Sequence, residues 1–90
     1  MLVLPAEVTH AKAAACLTML LQAARAEAEP LALVDATALT RFDSSALAVL
    51  LACRRECLLD GKGFAVRALP ARLRELAQLY GVHGLLPDLA

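Results

Sequence analysis

The sequence predicts a small α/β domain in which helices pack against a mixed, mostly parallel β-sheet. Three observations lead to this fold class. Short apolar runs alternate with longer helical segments, two of these runs are apolar throughout, and the chain has 90 residues. Strands buried on both faces lack polar alternation, and strands that alternate with helices favour parallel pairing through right-handed crossovers. We therefore expect a single domain over residues 1–90.

Three short apolar segments are predicted as strands: residues 2–4, 31–34 and 64–66. Pro5 ends the first strand because proline cannot donate a hydrogen bond to a sheet. The second strand runs into Asp35, and the connection over residues 37–41 predicts a single paired residue around Leu39. Residues 60–63 predict the turn that leads into the third strand, because Gly61 and Gly63 tolerate left-handed backbone conformations.

Three segments with helical spacing separate and follow these strands. The first helix is expected from His10 to about Ala28 with Thr9 as its cap, and the second from Ser44 to Leu59 with Asp43 as its cap. The third should open at Pro70 and end at Gly81. Apolar residues at helical spacing are assigned to the core: Ala13, Leu17, Leu20, Leu21, Ala24, Leu47, Leu50, Leu51, Leu58, Leu73, Leu76, Ala77 and Tyr80. The tail at residues 85–87 is expected to dock on the sheet or on the third helix.

The composition is apolar and electrically balanced. Hydrophobic residues make up 60% of the chain, and the formal net charge is zero. The excess of Ala and Leu fits either a tight helical packing or an apolar surface that a partner covers. Zero net charge disfavours a nucleic-acid binder, which needs a basic face. The basic residues between Arg54 and Arg74 fit either a solvated surface or a surface that faces an acidic groove on a partner.

The three cysteines, Cys16, Cys53 and Cys57, are interpreted as small apolar core residues. Their odd number and the absence of a signal-peptide pattern predict a reducing cytoplasmic location. Zinc is not expected, since no second pair of ligands has suitable spacing. The apolar runs are also too short for a membrane span, so we expect no direct membrane insertion.

The sequence offers no catalytic or cofactor pattern. His10 and His83 have no recognisable nucleophile partner. The segment Gly61-Lys62-Gly63 lacks the spacing of a phosphate-binding loop and leads into a strand instead of a helix. We therefore expect a protein that is not an enzyme and that binds no cofactor.

The segment Asp43-Ser44-Ser45 has two interpretations. Asp and Ser are common helix caps, so the segment fits a purely structural role. The start of a helix also carries free N–H groups and a partial positive charge, which favour a nearby phosphate. Phosphorylation of Ser44 or Ser45 would place roughly −1.5 to −2 charges on a surface that could dock a protein.

In this order of elements, the stretch from Leu33 to Leu51 resembles the STAS domain family, named for sulphate transporters and anti-sigma factor antagonists. Its strand ending in Asp35 and the segment Phe42-Asp43-Ser44-Ser45-Ala46-Leu47 fit the family's central motif, although Ala46 stands where the family usually has Gly. The turn and strand over residues 61–66 and the helix end over residues 76–82 also match. The resemblance implies a STAS-like fold in which the first strand of the usual N-terminal hairpin is missing.

The resemblance implies a protein-binding module, and two branches of the family fit. One is the small cytoplasmic STAS subunit of the bacterial Mla phospholipid transport system, which binds an ABC-type ATPase and supports outer-membrane lipid asymmetry. The alternative is the anti-sigma factor antagonist, whose serine is phosphorylated by a partner kinase. The partner-binding or phosphorylation-like residues would be Thr40, Arg41, Asp43, Ser44 and Ser45. A short or exposed sheet edge would also invite a homodimer, and the partner would hold the protein near the inner membrane.

Overall fold

Two small parallel sheets form the framework of the computed structural model, which describes residues 1–87. The larger sheet contains β1 (Leu2–Val3), β3 (Leu31–Asp35) and β5 (Gly63–Arg67), with β3 in the centre. The smaller sheet pairs β2 (Glu7–Val8) with β4 (Arg41–Phe42). Every strand pair in this part of the chain is parallel, so the predicted α/β fold class is confirmed.

Three helices connect and follow the strands: α1 (Ala13–Ala26), α2 (Ser44–Leu59) and α3 (Ala71–Leu79). The prediction for the first helix was too long at both ends. Residues His10–Lys12 form a 3-10 turn, and the side chain of Thr9 makes no cap hydrogen bond. At the other end, Glu27 is extended and terminates α1. Pro70 likewise lies just before α3 and not inside it, because its backbone is still extended at ψ 142°.

The core lies on one face of the larger sheet. Leu2, Val34 and Val66 are neighbours across β1, β3 and β5, and each is at most 1% exposed. They pack in one cluster with aliphatic residues and thiols of the helices, mainly Cys16, Leu20, Ala24, Leu47, Leu50, Cys53, Cys57, Leu73 and Ala77. The predicted core role of all three cysteines is confirmed.

Two residues that were assigned to the core are exposed. Tyr80 is 59% exposed because α3 ends at Leu79, and the tyrosine follows as its C-cap. Leu58 is 45% exposed, and its neighbour Cys57 takes the buried position instead. The last turn of α2 therefore carries an aliphatic side chain on the surface.

The predicted pairing at Leu39 was misplaced. Leu39 is buried in a turn, where its N–H donates to the Ala36 carbonyl at 3.1 Å. The pairing occurs at β4 instead, because β2 presents hydrogen-bonding groups to Arg41 and Phe42. A segment of two residues is too short to show a periodic sequence pattern.

The C-terminal segment docks on the sheet, as predicted. Leu86 is only 4% exposed, and the Pro87 carbonyl accepts a hydrogen bond of 2.8 Å from the Val66 N–H. At the opposite edge, β1 has β3 as its only partner strand among residues 1–87, and Val3 is 54% exposed. Pairing of two copies through this edge stays a prediction.

Candidate functional site

The path from β3 to α2 is held by local hydrogen bonds. The Asp35 carboxylate accepts hydrogen bonds from the N–H and the hydroxyl of Thr37. These bonds, the hydroxyl bond first, lower the pKa of Asp35. The next residue, Ala36, donates its N–H to the Arg67 carbonyl at 2.8 Å. The loop therefore leaves the sheet in one defined direction.

The smaller sheet fixes the second half of this loop. The Ala6 carbonyl accepts hydrogen bonds from the N–H groups of Thr40 and Arg41, at 2.9 and 3.0 Å. The Thr40 hydroxyl also donates to the same carbonyl at 3.3 Å. Thr40, one of the predicted site residues, is thus engaged within the chain and holds the loop against the segment before β2.

Arg41 takes part in a small ionic cluster centred on Glu7. The Arg41 Nε lies 3.3 Å from the Glu7 carboxylate, and the Lys12 Nζ lies 2.9 Å from it. The hydrogen bond from Lys12, followed by its charge, lowers the pKa of Glu7. The Arg41 side chain nevertheless remains 81% exposed, so a partner would still have access to its guanidinium group.

Asp43 connects the starts of two helices. One carboxylate oxygen accepts the Ser45 N–H at 2.8 Å, which is the predicted N-cap of α2. The other oxygen accepts the His10 N–H at 3.0 Å, at the start of the turn that leads into α1. The bond from His10, followed by that from Ser45, lowers the pKa of Asp43. The carboxylate thus has a structural role, which also satisfies two N–H groups that a helix start leaves unpaired.

Ser44 and Ser45 are adjacent in the chain but border different surfaces. Ser44 is exposed and borders a depression of about 320 Å³ between the starts of α2 and α3. Arg72 and Leu76 form the α3 side of this depression. Ser45 is half-buried and borders the groove between α1 and α2, close to Leu17. Of the two serines, Ser44 is the more accessible to a partner or to a kinase.

The fold therefore brings all five predicted site residues to one end of the domain and adds Arg72. Three of the five, Thr40, Arg41 and Asp43, form hydrogen bonds or an ion pair within the chain, and these contacts fix the segment that leads to Ser44. Arg72 was not predicted as a site residue because it comes from a helix after the next strand. Its position depends on how α3 packs beside α2, which leaves no local sequence signal.

Of the other reactive side chains, the three cysteines are buried, and the exposed His10 borders the groove between α1 and α2 beside Ser45. Burial raises the pKa of Cys53 to about 12, so its thiol stays protonated. His83 borders a separate depression between α3 and the C-terminal segment. Within residues 1–87, no cluster of three His, Cys, Asp or Glu side chains is arranged to hold a metal ion. No helix in the same range has the length and apolar character needed to cross a membrane.

Comparison with known proteins agrees with this arrangement. A family model described as "Mlab, STAS domain" matches residues 1–87. No curated protein matches the chain. Domains of this family are in general non-catalytic modules that mediate protein–protein interaction. Since the match covers almost the whole chain, the protein belongs to the STAS domain family and is MlaB-like.

Proposed function

We propose that this protein is a regulatory subunit of an ABC-type phospholipid transport complex that maintains outer-membrane lipid asymmetry. The observation that carries this proposal is the family match over residues 1–87, whose description names Mlab. In this role the protein binds the cytoplasmic ATPase subunit and carries out no chemistry of its own. Its position at the inner membrane then depends on that partner.

The proposed contact surface is the end of the domain that carries Ser44. This residue is exposed at the start of α2, borders the same depression as Arg72, and follows the exposed Arg41 by three positions. The hydrogen bonds of Thr40 and Asp43 hold the segment in place before any partner arrives. A surface that is already ordered loses less conformational entropy on binding. The partner would thus meet a rigid polar tip with basic side chains around it.

The direct test is co-purification with the cytoplasmic ABC ATPase subunit of a phospholipid transport complex. We expect the wild-type protein to be retained and Ser44→Glu to bind about tenfold more weakly, because a longer, charged side chain would enter the contact. Thr18→Glu is the matched control, since Thr18 is an exposed hydroxyl residue on α1, away from this end. Normal binding by Ser44→Glu would contradict the role of Ser44, and failure of the wild-type protein to bind would contradict the ATPase partner.

The alternative function is that of an anti-sigma factor antagonist. The observation that favours it is the exposed Ser44 hydroxyl directly after the helix cap Asp43. Phosphorylation there would add charge at the favourable end of α2 and would change the docking surface. A serine kinase of the anti-sigma type should then add one phosphate to the wild-type protein and none to Ser44→Ala. Phosphate on neither serine would exclude this alternative.

A further inference from the structure

The helices α2 and α3 differ in length, and the difference leaves a step on the surface. Both helices follow strands of parallel sheets and begin at the same end of the domain, where Ser44 and Arg72 border one depression. At about 1.5 Å per residue, the 16 residues of α2 extend well beyond the 9 residues of α3. Gly81, with a left-handed φ of 71°, then turns the chain away. In length, α2 thus exceeds α3 by about two turns.

This step is aliphatic and aromatic where a solvated surface would be polar. Leu79 and Tyr80, at the end of α3, are 76% and 59% exposed. Leu58, in the last turn of α2, is 45% exposed. Arg55 is exposed one turn before Leu58. We call these four residues the α2–α3 step.

Basic side chains outnumber acidic ones around the step, where the exposed Glu75 lies one turn before Leu79. Among the ion pairs that the structure describes for residues 1–87, none involves Arg54, Arg55 or Arg72. On the opposite side of α2, by contrast, Arg25 lies 3.9 Å from Glu56 and 3.7 Å from Asp60. The side of α2 next to α3 therefore presents positive charge that an acidic partner could complement.

We propose that the α2–α3 step binds an amphipathic helix of the partner protein, with aliphatic residues on one face and carboxylates at its border. The aliphatic face packs on Leu58 and Leu79, and the carboxylates pair with Arg55 and Arg72. Recognition of this kind uses apolar anchors at helical spacing in a groove between helices. This proposal rests on the protein-binding function above and adds the chemistry of the partner.

The proposal is testable with a synthetic amphipathic peptide whose leucines follow helical spacing and whose other positions are mainly glutamate. A second peptide with lysine in place of glutamate is its counterpart. We expect the glutamate peptide to shift backbone amide NMR signals of Arg55, Leu58 and Leu79, and to bind less tightly as salt increases. The lysine peptide should bind at least tenfold more weakly.

Variants of exposed residues separate the step from the rest of the surface. Arg55→Glu should weaken binding of the glutamate peptide about tenfold, because like charges then face each other. Leu79→Ser should weaken it several-fold through loss of the aliphatic contact. Arg67→Glu is the control: it makes the same change of charge at an exposed residue at the end of β5, outside the step.

The other outcomes would overturn the proposal. They are equal binding of the two peptides, no binding of either, signal shifts confined to β1 or to the groove between α1 and α2, and binding to anionic phosphatidylglycerol vesicles in place of the peptide. Since the peptide assay does not involve the ATPase, its result is independent of the co-purification. A bound peptide together with an unbound ATPase would overturn the transporter role alone.

Discussion

The two sides of α2 show how one helix can serve both the stability of the domain and its binding. On the side next to α1, Cys16 and Cys53 are buried together, and Arg25 forms ion pairs with Glu56 and Asp60. On the side next to α3, Arg55 and Leu58 remain exposed. The contrast indicates that the first side stabilises the fold and that the second is available to a partner.

The largest expected effect compares one leucine from each side. Leu20 on α1 is 1% exposed, and Leu79 on α3 is 76% exposed. Leu20→Ala should lower the free energy of unfolding by about 2–5 kcal/mol because it leaves a cavity. Leu79→Ala should change it by less than about 0.5 kcal/mol. Urea unfolding measures both, and similar losses for the two variants would remove the contrast.

The second effect concerns the lysine that closes the end of α1. The Lys62 Nζ donates hydrogen bonds to the Ala24 and Glu27 carbonyls at the end of α1, where the Ala24 carbonyl also accepts the Glu27 N–H at 3.3 Å. Lys62→Met should destabilise the protein by about 1.5–3 kcal/mol, as expected for hydrogen bonds from a charged group. Lys12→Met, at an exposed ion pair, is the control and should have a much smaller effect. Equal losses of unfolding free energy in the two variants would show that the two hydrogen bonds of Lys62 contribute little to stability.

The third effect tests Asp43, whose carboxylate accepts hydrogen bonds from the N–H of His10, just before α1, and from the N–H of Ser45, at the start of α2. Its folded pKa is lowered, so its stabilising contribution is present above the unfolded pKa of about 3.9 and is lost as the pH falls through the folded value. Asp43→Ala should therefore be less stable than the wild-type protein at pH 7, and the difference should shrink below about pH 4. Urea unfolding at pH 7 and at pH 3 measures this, and a difference that does not depend on pH would contradict it.

The smallest effect separates the two serines. Ser44→Glu should keep the stability or increase it by about 0.3–1 kcal/mol, because an acidic side chain at a helix start is favourable. Ser45→Glu should lower it, since Ser45 is half-buried beside the Asp43 carboxylate. Thermal unfolding of the two variants gives the comparison. If Ser45→Glu were the more stable of the two variants, the assignment of Ser44 to the exposed position and of Ser45 to the half-buried one would be wrong.

Much of this arrangement was predictable from local sequence patterns. The length of α2, its cap Asp43 and the strand at residues 31–35 follow from helix capping and apolar runs. The β2–β4 pair was not predictable, since two residues per strand carry no periodicity. The bond from Lys62 to the end of α1 and the position of Arg72 beside Ser44 join residues far apart in the chain. Such contacts depend on the packing of whole elements.

The exposure of Leu58 and Tyr80 shows a second limit of pattern analysis. Helical spacing identifies the face of a helix that carries apolar residues, but it does not show where the neighbouring helix ends. Because α3 stops at Leu79, the same apolar stripe that is core near Leu73 becomes surface at Tyr80. Leu58 and Tyr80, which helical spacing assigns to the core, are therefore part of the proposed binding surface.

The central claim is that the side of α2 next to α3 binds the partner protein while the side next to α1 does not. Hydrogen exchange with and without the ABC ATPase tests it most directly, because both sides are read in one experiment. We predict slower exchange in residues 41–47, 54–59 and 72–80 when the ATPase is bound, with no change in residues 13–26. Protection confined to residues 13–26 or to β1, or no protection at all, would contradict the claim.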